Sequence, residues 1–503
     1  MDDMRARRAF ARRTRLVGGL LAAICTVAPS MVSAKALPCV EGRNAAAISP
    51  TLAGAIGRAV AATRFENLSA EVVERAKLTV LDNFATLAYT AHQSRDDPYI
   101  LRARQRGGTQ EAYLVGTGIR APVEDAAAGM AWLIHAAETD DSDFRASLRA
   151  SPVVMGPALA MAQAQRVSGR DFLLGLSVGY TVLGRLAAPL GPMQPRGFMS
   201  SGVWGPAASA AVSARMLNMD GVATANAIAL ASSAGGGSFQ YFYDQTQDKR
   251  MVVARAARAG VEATMLACRG ETGAARIFEG HAGLYPVLGG PDGKSIDSAP
   301  ITAGFDALEG PLRLVPKFYA ASASIIPTLD ALAQTPKERK IKAEDVDHIV
   351  LRGGPSIAGI YQSKLDAYTP PPSKIGAKLN YAFVVALYLI KGSAEAGGFT
   401  DKALVDPAIN NLARRIRFEL TAEIPATLTI VPKSGIPLVL TPVESDSRQT
   451  EPVMLEARMA KFRSLTRHTL DDRQRAWLFS EVEKLDQVPD MAAWLARVER
   501  VLQ

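Results

Sequence analysis

The chain has 503 residues, 48% hydrophobic and 21% charged, with a formal net charge of +8. That apolar content excludes a disordered chain, and the length is enough to bury a core without disulfide or metal staples. Five histidines and three cysteines are too few for a histidine- or cysteine-rich metal cluster, and a single charge-free apolar run argues against a polytopic membrane protein.

Residues 1–36 read as an export signal. Arg5, Arg7, Arg8, Arg12, Arg13 and Arg15 form a basic stretch, Leu16 to Val32 is apolar, and Ala34-Lys35-Ala36 offers a small-x-small cleavage site. The pair Arg7-Arg8, with Phe10 close behind, resembles a twin-arginine signal. The expected product is periplasmic, with no stable membrane insertion after cleavage. This segment holds seven Lys/Arg against two Asp/Glu, so the remainder is near +3 and no nucleic-acid partner is needed to explain the charge. Beyond the signal, Cys39 and Cys268 remain. Oxidising surroundings would permit a bridge, but their separation favours two unpaired thiols.

From Leu52 to about Val287 the apolar residues recur at helical spacing and alanine is abundant. Ser69 is a candidate N-cap, with Glu71 in the first turn, for a helix over Val72–Ala91. Further helices are predicted over Pro152–Arg166, from Ser168, over Gly205–Leu217 and Val222–Ser233, and over the small-residue stretch Ala254–Cys268. Near Pro300 the character changes. Strands are expected at Val346–Arg352, Arg415–Leu420 and Ala426–Val431, and helices at Thr328–Gln334 and Tyr381–Ile390. Asp471–Leu485 and Met491–Leu502 return to helix. The expected fold is mainly α: a large all-helical domain built from both chain ends, 48–299 and 446–503, with a smaller α+β lid inserted at 300–445.

Several segments, in order, resemble the MmgE/PrpD family, whose members include 2-methylcitrate dehydratase, cis-aconitate decarboxylase and an iminodisuccinate epimerase. They are AKLTVLDNFATLAYTA (76–91), AWLIHAAETDDSD (131–143), SGRDFLLGLSVGYTVLGRL (168–186), RGFMSSGVWGPAASAA (196–211), KRMVVARAARAGVEATMLA (249–267), GETGAARIFEGHAGLY (270–285) and VPKFYAASA (315–323). The resemblance implies a homodimer that needs no metal or organic cofactor. It also implies lyase or isomerase chemistry on a small organic acid, by proton abstraction beside a carboxylate or carbonyl. Such chemistry needs cations for carboxylates and a general base and acid.

The family pattern carries over unevenly. Glu138 stands at the first Asp of the family's D-F-D-D motif, followed by Thr139, Asp140 and Asp141. Lys249 and Lys317 match the two family lysines, and Tyr361 falls near the lid tyrosine. Four family histidines are replaced, by Ser151, Met199, Val252 and Ser322. The resemblance therefore assigns catalysis to Glu138, Asp140, Lys249, Lys317 and Tyr361. It assigns substrate contact to Asp141, Ser151, Met199, Arg250, Val252, Tyr319 and Ser322, with Arg250 a second cation for a carboxylate. Glu138 or Asp140, opposite the lysines, is expected to have a raised pKa suited to proton transfer when an anionic substrate is bound beside it.

Other residues have readings of their own. His135 lies three residues before Glu138, a spacing that makes them neighbours on a helix, although a buried structural histidine is the commoner outcome. Gly235-Gly236-Gly237 lacks the setting of a phosphate loop and suits close backbone approach. Phe239, Tyr241, Phe242 and Tyr243 suit either a pocket wall or core packing. No metal-ligand cluster is expected. Three readings stay open: an exported lyase or isomerase, a non-catalytic periplasmic binder of a small anion, and an enzyme diverged toward a more hydrophobic substrate.

Overall fold

The computed structural model describes residues 39–289, 296–354, 358, 360, 361, 365, 367–421, 426–442 and 451–503. The export signal, its arginine pair and its cleavage site lie outside these residues.

The elements that build the site are, in order, α1 (Leu52–Ala62), α2 (Ala70–Gln93), β1 (Ala112–Leu114), β2 (Ile119–Ala121), α3 (Val123–Ala136), β3 (Ser142–Asp143), β4 (Leu148–Arg149), α4 (Ala150–Gln165), α5 (Gly169–Ala187), α6 (Ser200–Met216), α7 (Gly221–Ser232) and α8 (Lys249–Ala267). After these come α9 (Ile326–Gln334), β5 (Val346–Gly353), α10 (Lys374–Leu379), α11 (Tyr381–Lys391), β6 (Ile416–Leu420), β7 (Thr427–Pro432), β8 (Leu438–Leu440), α12 (Glu451–Thr466), α13 (Asp472–Glu483) and α14 (Met491–Leu502). The fold is mainly α.

Local chemistry sets the helix ends. Ser69 caps α2 by accepting from Val72 N–H, and Ser168 caps α5 by accepting from Asp171 N–H. Glu124 and Asp125 occupy the first turn of α3, where the helix dipole favours acids.

Helices α3, α4, α6 and α8 pack on one another as the core, with α7 between α1 and α8. Small residues permit the close crossings: a Cβ on Gly260 of α8 would lie 2.2 Å from the Ser209 Cβ of α6. The C-terminal helices return to the start of the chain, α12 and α13 on α2 and α14 on α4.

The larger sheet has the order β6-β5-β7-β8, with β5 parallel to β6 and antiparallel to β7. Ile349 pairs with Ile416 on one side and Ile430 on the other, placing three buried isoleucines in register.

Two expectations need correction. Cys39 and Cys268 form a disulfide, with Cα atoms 4.5 Å apart, because Val40 N–H donates to the Cys268 carbonyl and lays the N-terminal segment against the end of α8. The hairpin β1–β2, the β3–β4 pair and β8 lie outside the predicted strands; each has only two or three residues, too few for alternation to register. Among the described residues no helix is long and apolar enough to cross a membrane.

Candidate active site

Helix α3 ends at Ala136, and two residues later Glu138 takes a left-handed backbone conformation (φ 59°). That conformation is costly for a residue with a side chain and is retained where the surroundings over-determine it. Here the surroundings are ionic. Lys249, the first residue of α8, donates to Glu138 Oε1, and Lys317 Nζ lies 3.2 Å from Oε2. Lys317 is brought there by a two-way backbone pairing of Val315 with Ser142. Its ammonium is also 3.6 Å from Asp140 Oδ1. His135, on the last turn of α3, meets Asp140 Oδ2 at 2.9 Å through Nδ1, and its Nε2 lies 3.9 Å from Glu138 Oε1.

The cluster is fully buried, apart from slight exposure of Lys249 at 4%. Burial alone would raise the Glu138 carboxyl, but Lys249, Lys317 and His135 outweigh it and hold Glu138 well below the ordinary carboxylate range. For Asp140 burial is likewise outweighed, by His135 and Lys317, and its pKa is lowered. Both carboxylates are therefore ionised near neutrality, and any rise of the kind expected beside a substrate anion starts from this lowered value. Asp140 then only accepts, so His135 carries its proton on Nδ1 and leaves Nε2 as a bare acceptor. Burial and Lys249 lower the His135 pKa, keeping the ring neutral. Lys249 is pulled down to about 8, first by burial and further by Lys317 and Arg149, against the attraction of Glu138.

Behind this layer is a second buried set. Ser151 donates to Asp141 Oδ2 through its hydroxyl and to Oδ1 through its N–H, and its oxygen is 2.7 Å from the Tyr180 hydroxyl. Burial pushes Asp141 up to about 6 in spite of these bonds. Lys461 of α12 fastens the same loop from outside, donating to the Thr139 carbonyl and Asp82 Oδ2, both at 2.6 Å.

A cavity of about 1170 Å³ opens in front of the cluster. Lys249, Met199 and Ser322 line it, as does the aromatic group Phe239, Tyr241, Phe242 and Tyr243. The glycine run before that group makes the close approach expected of it: a Cβ on Gly202 would lie 2.0 Å from the Gly236 carbonyl oxygen.

Of the residues singled out in sequence, Glu138, Asp140, Lys249 and Lys317 meet in one ionic cluster, and Asp141 and Ser151 sit together behind it. Four others point to different work. Arg250 pairs with Asp97 at 2.8 Å and stacks over Trp132 at 4.1 Å, so its charge is committed away from the cavity. Val252 packs on Gly202 and Gly237, and Tyr319 meets Tyr388 edge-on. Tyr361 donates to Ser324, and burial pushes its phenol up, so it reaches the cavity only through that serine.

Three residues of the site went unassigned in the sequence. His135 was seen at the right spacing but read as structural. Arg149, 9% exposed, lines the cavity and makes no ion pair among the described residues. Lys378 of α10 donates to the Ala137 carbonyl at 3.0 Å, and burial lowers its pKa to about 7. The lysine thus covers the free carbonyls at the end of α3, beside Glu138. A lysine within the apolar run KIGAKLNYAF was the available signal.

His135, Glu138 and Asp140 also place three ligand atoms within 4.8 Å of one another, correcting the expectation that no such cluster exists. Two ammonium groups already balance the two carboxylates, so a divalent ion there would have to displace Lys249 and Lys317 from them.

Residues 54–297 match the MmgE/PrpD N-terminal domain and residues 319–485 the MmgE/PrpD C-terminal domain. The chain is similar to the cis-aconitate decarboxylase-like protein oryM of Aspergillus oryzae, 25% identical over 69% of this chain and 75% of that protein. It is likewise 25% identical to the cis-aconitate decarboxylase of Mus musculus, over 71% of this chain and 74% of the mouse protein. With both family domains matched in order over most of its length, the chain belongs to the MmgE/PrpD family.

Proposed function

We propose that this protein is a lyase of small organic acids in which Lys249 carries the proton. The observation that supports this most is the position of Lys249. It is the one member of the ionic cluster that lines the cavity, and its pKa of about 8 puts ammonium and amine within reach near neutral pH. The names of the relatives support decarboxylation as the reaction. The C–C bond to the departing carboxylate breaks, its electron pair stays on the adjacent carbon, and carbon dioxide leaves. The Lys249 ammonium gives that carbon its proton and is reprotonated by solvent. Glu138, ionised throughout, aims the ammonium and offsets its burial, while Lys317 holds the other carboxylate oxygen.

The test is turnover of cis-aconitate, then of a panel of di- and tricarboxylates, in deuterated buffer followed by NMR. The reading expects one deuterium in the product at the carbon that lost carbon dioxide. It also expects a loss of at least about 100-fold in Lys249→Met, the lower end of what a positioned proton donor contributes. Full activity in that variant, or neither exchange nor loss of carbon dioxide with any acid, would sink it.

The site of action proposed is the periplasm. The disulfide between Cys39 and Cys268 supports it, since such bonds persist in oxidising compartments.

A further inference from the structure

The two carboxylates and two lysines of the cluster cancel, so an arriving acid must find its positive charge elsewhere. Arg149 supplies it. This residue ends β4, where Arg149 N–H donates to Ser201 Oγ, and its side chain donates to Ser142 Oγ at 3.1 Å and to the Leu148 carbonyl at 3.2 Å. Those bonds fix the planar group without neutralising it. Its Nε, buried, has no hydrogen-bond partner among the described residues, and the guanidinium lies close enough to Lys249 to help lower the lysine's pKa and close enough to the Tyr241 phenol to offset part of the rise that burial causes there. An uncompensated, oriented guanidinium at nine-tenths burial is costly unless an anion completes it, and a carboxylate fits its fork.

The remainder of the cavity has a different character. Phe239 and Phe242 stack with centroids 5.0 Å apart, and Tyr243 stands edge-on to both. Together with Met199 they give an apolar lining to the cavity that Arg149 and Lys249 also line. The volume of about 1170 Å³ is at the upper end for sites that enclose drug-sized ligands and far more than a C5 or C6 acid fills. A small polar acid would leave this wall covered only by water.

We infer that the substrate is a two-part acid, a dicarboxylate head anchored by the Arg149 guanidinium, beside the proton-donating Lys249, with an alkyl or aryl tail lying on the Phe239–Phe242 wall. This rests on the reading of the same cavity as the active site, and it adds the class of substrate and the residue that anchors it.

The probe is a series of 2-alkylsuccinates, from methyl to octyl, with dissociation constants measured by calorimetry so that binding is read apart from turnover. Affinity should rise roughly 3- to 4-fold per methylene, the gain from burying one such group, and level off when the wall is filled. Phe242→Ala should shrink the gain per methylene. Arg149→Gln should weaken the whole series by about 10- to 100-fold, the value of a charged hydrogen bond, with its slope unchanged. Arg149→Lys should recover only part of that loss, because the fork is gone; thermal unfolding of each variant separates lost affinity from lost fold.

Affinity independent of chain length overturns the tail, and folded Arg149→Gln with wild-type affinities overturns the anchor. A preserved slope with no turnover of any acid would leave this inference standing and remove the lyase reading instead.

Discussion

Glu138 shows how one side chain can be set by its neighbours. Its carboxylate sits, fully buried, between two ammonium groups, where removing one partner leaves an uncompensated buried charge. Glu138→Gln should therefore lower unfolding free energy by about 3–5 kcal/mol in urea titration, and should depress the Lys249 pKa further. Asp141 behaves in the opposite sense. Its ordinary value is 3.8 and its folded value about 6, so between these the folded chain holds a proton that the unfolded chain has lost. That contribution is complete below about pH 4 and disappears as pH rises through 6, a fall of about 3 kcal/mol. Asp141→Asn, which keeps an oxygen for the Ser151 N–H, should remove this fall when stability is compared at pH 4.5 and pH 7. The acidic residues and both lysines were visible in the sequence as matches to a family pattern. Their titration behaviour was not, because it depends on Lys249 and Lys317 arriving from positions 111 and 179 residues away. Arg149 was passed over for a related reason: adjacent residues gave no sign that it would lack an acidic partner.

Among the elements, the long helices were readable because their spacing and caps agree. Ser69 caps α2 as its sequence suggests, and Met491–Leu502 is helical over the predicted span. The four-residue stretch from Glu138 to Asp141 was not readable as a structure, since its form is imposed by bonds from Lys249, Lys317 and Lys461, on three separate later segments. The short helical turns between Phe305 and Ile325 likewise lack a period long enough to detect. Packing between elements gives a sharper prediction. Gly260→Ala should gain about 1 kcal/mol of helix propensity but drive its Cβ to 2.2 Å from the Ser209 Cβ and 2.7 Å from the Ala210 backbone nitrogen. Overpacking costs about 1–3 kcal/mol, so the net effect should be destabilising by thermal melting, and Ser209→Gly in the same chain should recover only part of it, because the backbone contact remains.

Over the whole molecule, the disulfide ties residue 39 to the end of the helix that begins at Lys249. Cys268→Ala should lower stability by about 2–4 kcal/mol under oxidising conditions and have no effect in reductant, a comparison that separates the cross-link from lost packing. This bond is not legible from residue order, because pairing across 229 residues is decided by the path of the chain. The same path joins the floor of the cavity, with Lys249 on one helix, Glu138 behind it and Lys317 from the far segment, and on this floor the proposed chemistry depends. The measurement that bears on it most directly is the pH dependence of kcat/KM for an acid that the protein converts, in the native chain and in Lys249→Met. If the Lys249 ammonium delivers the proton, the native rate falls as pH rises through about 8, and the variant loses both the rate and that limb. A native profile that runs level through pH 8, or the same falling limb in Lys249→Met, would contradict the account.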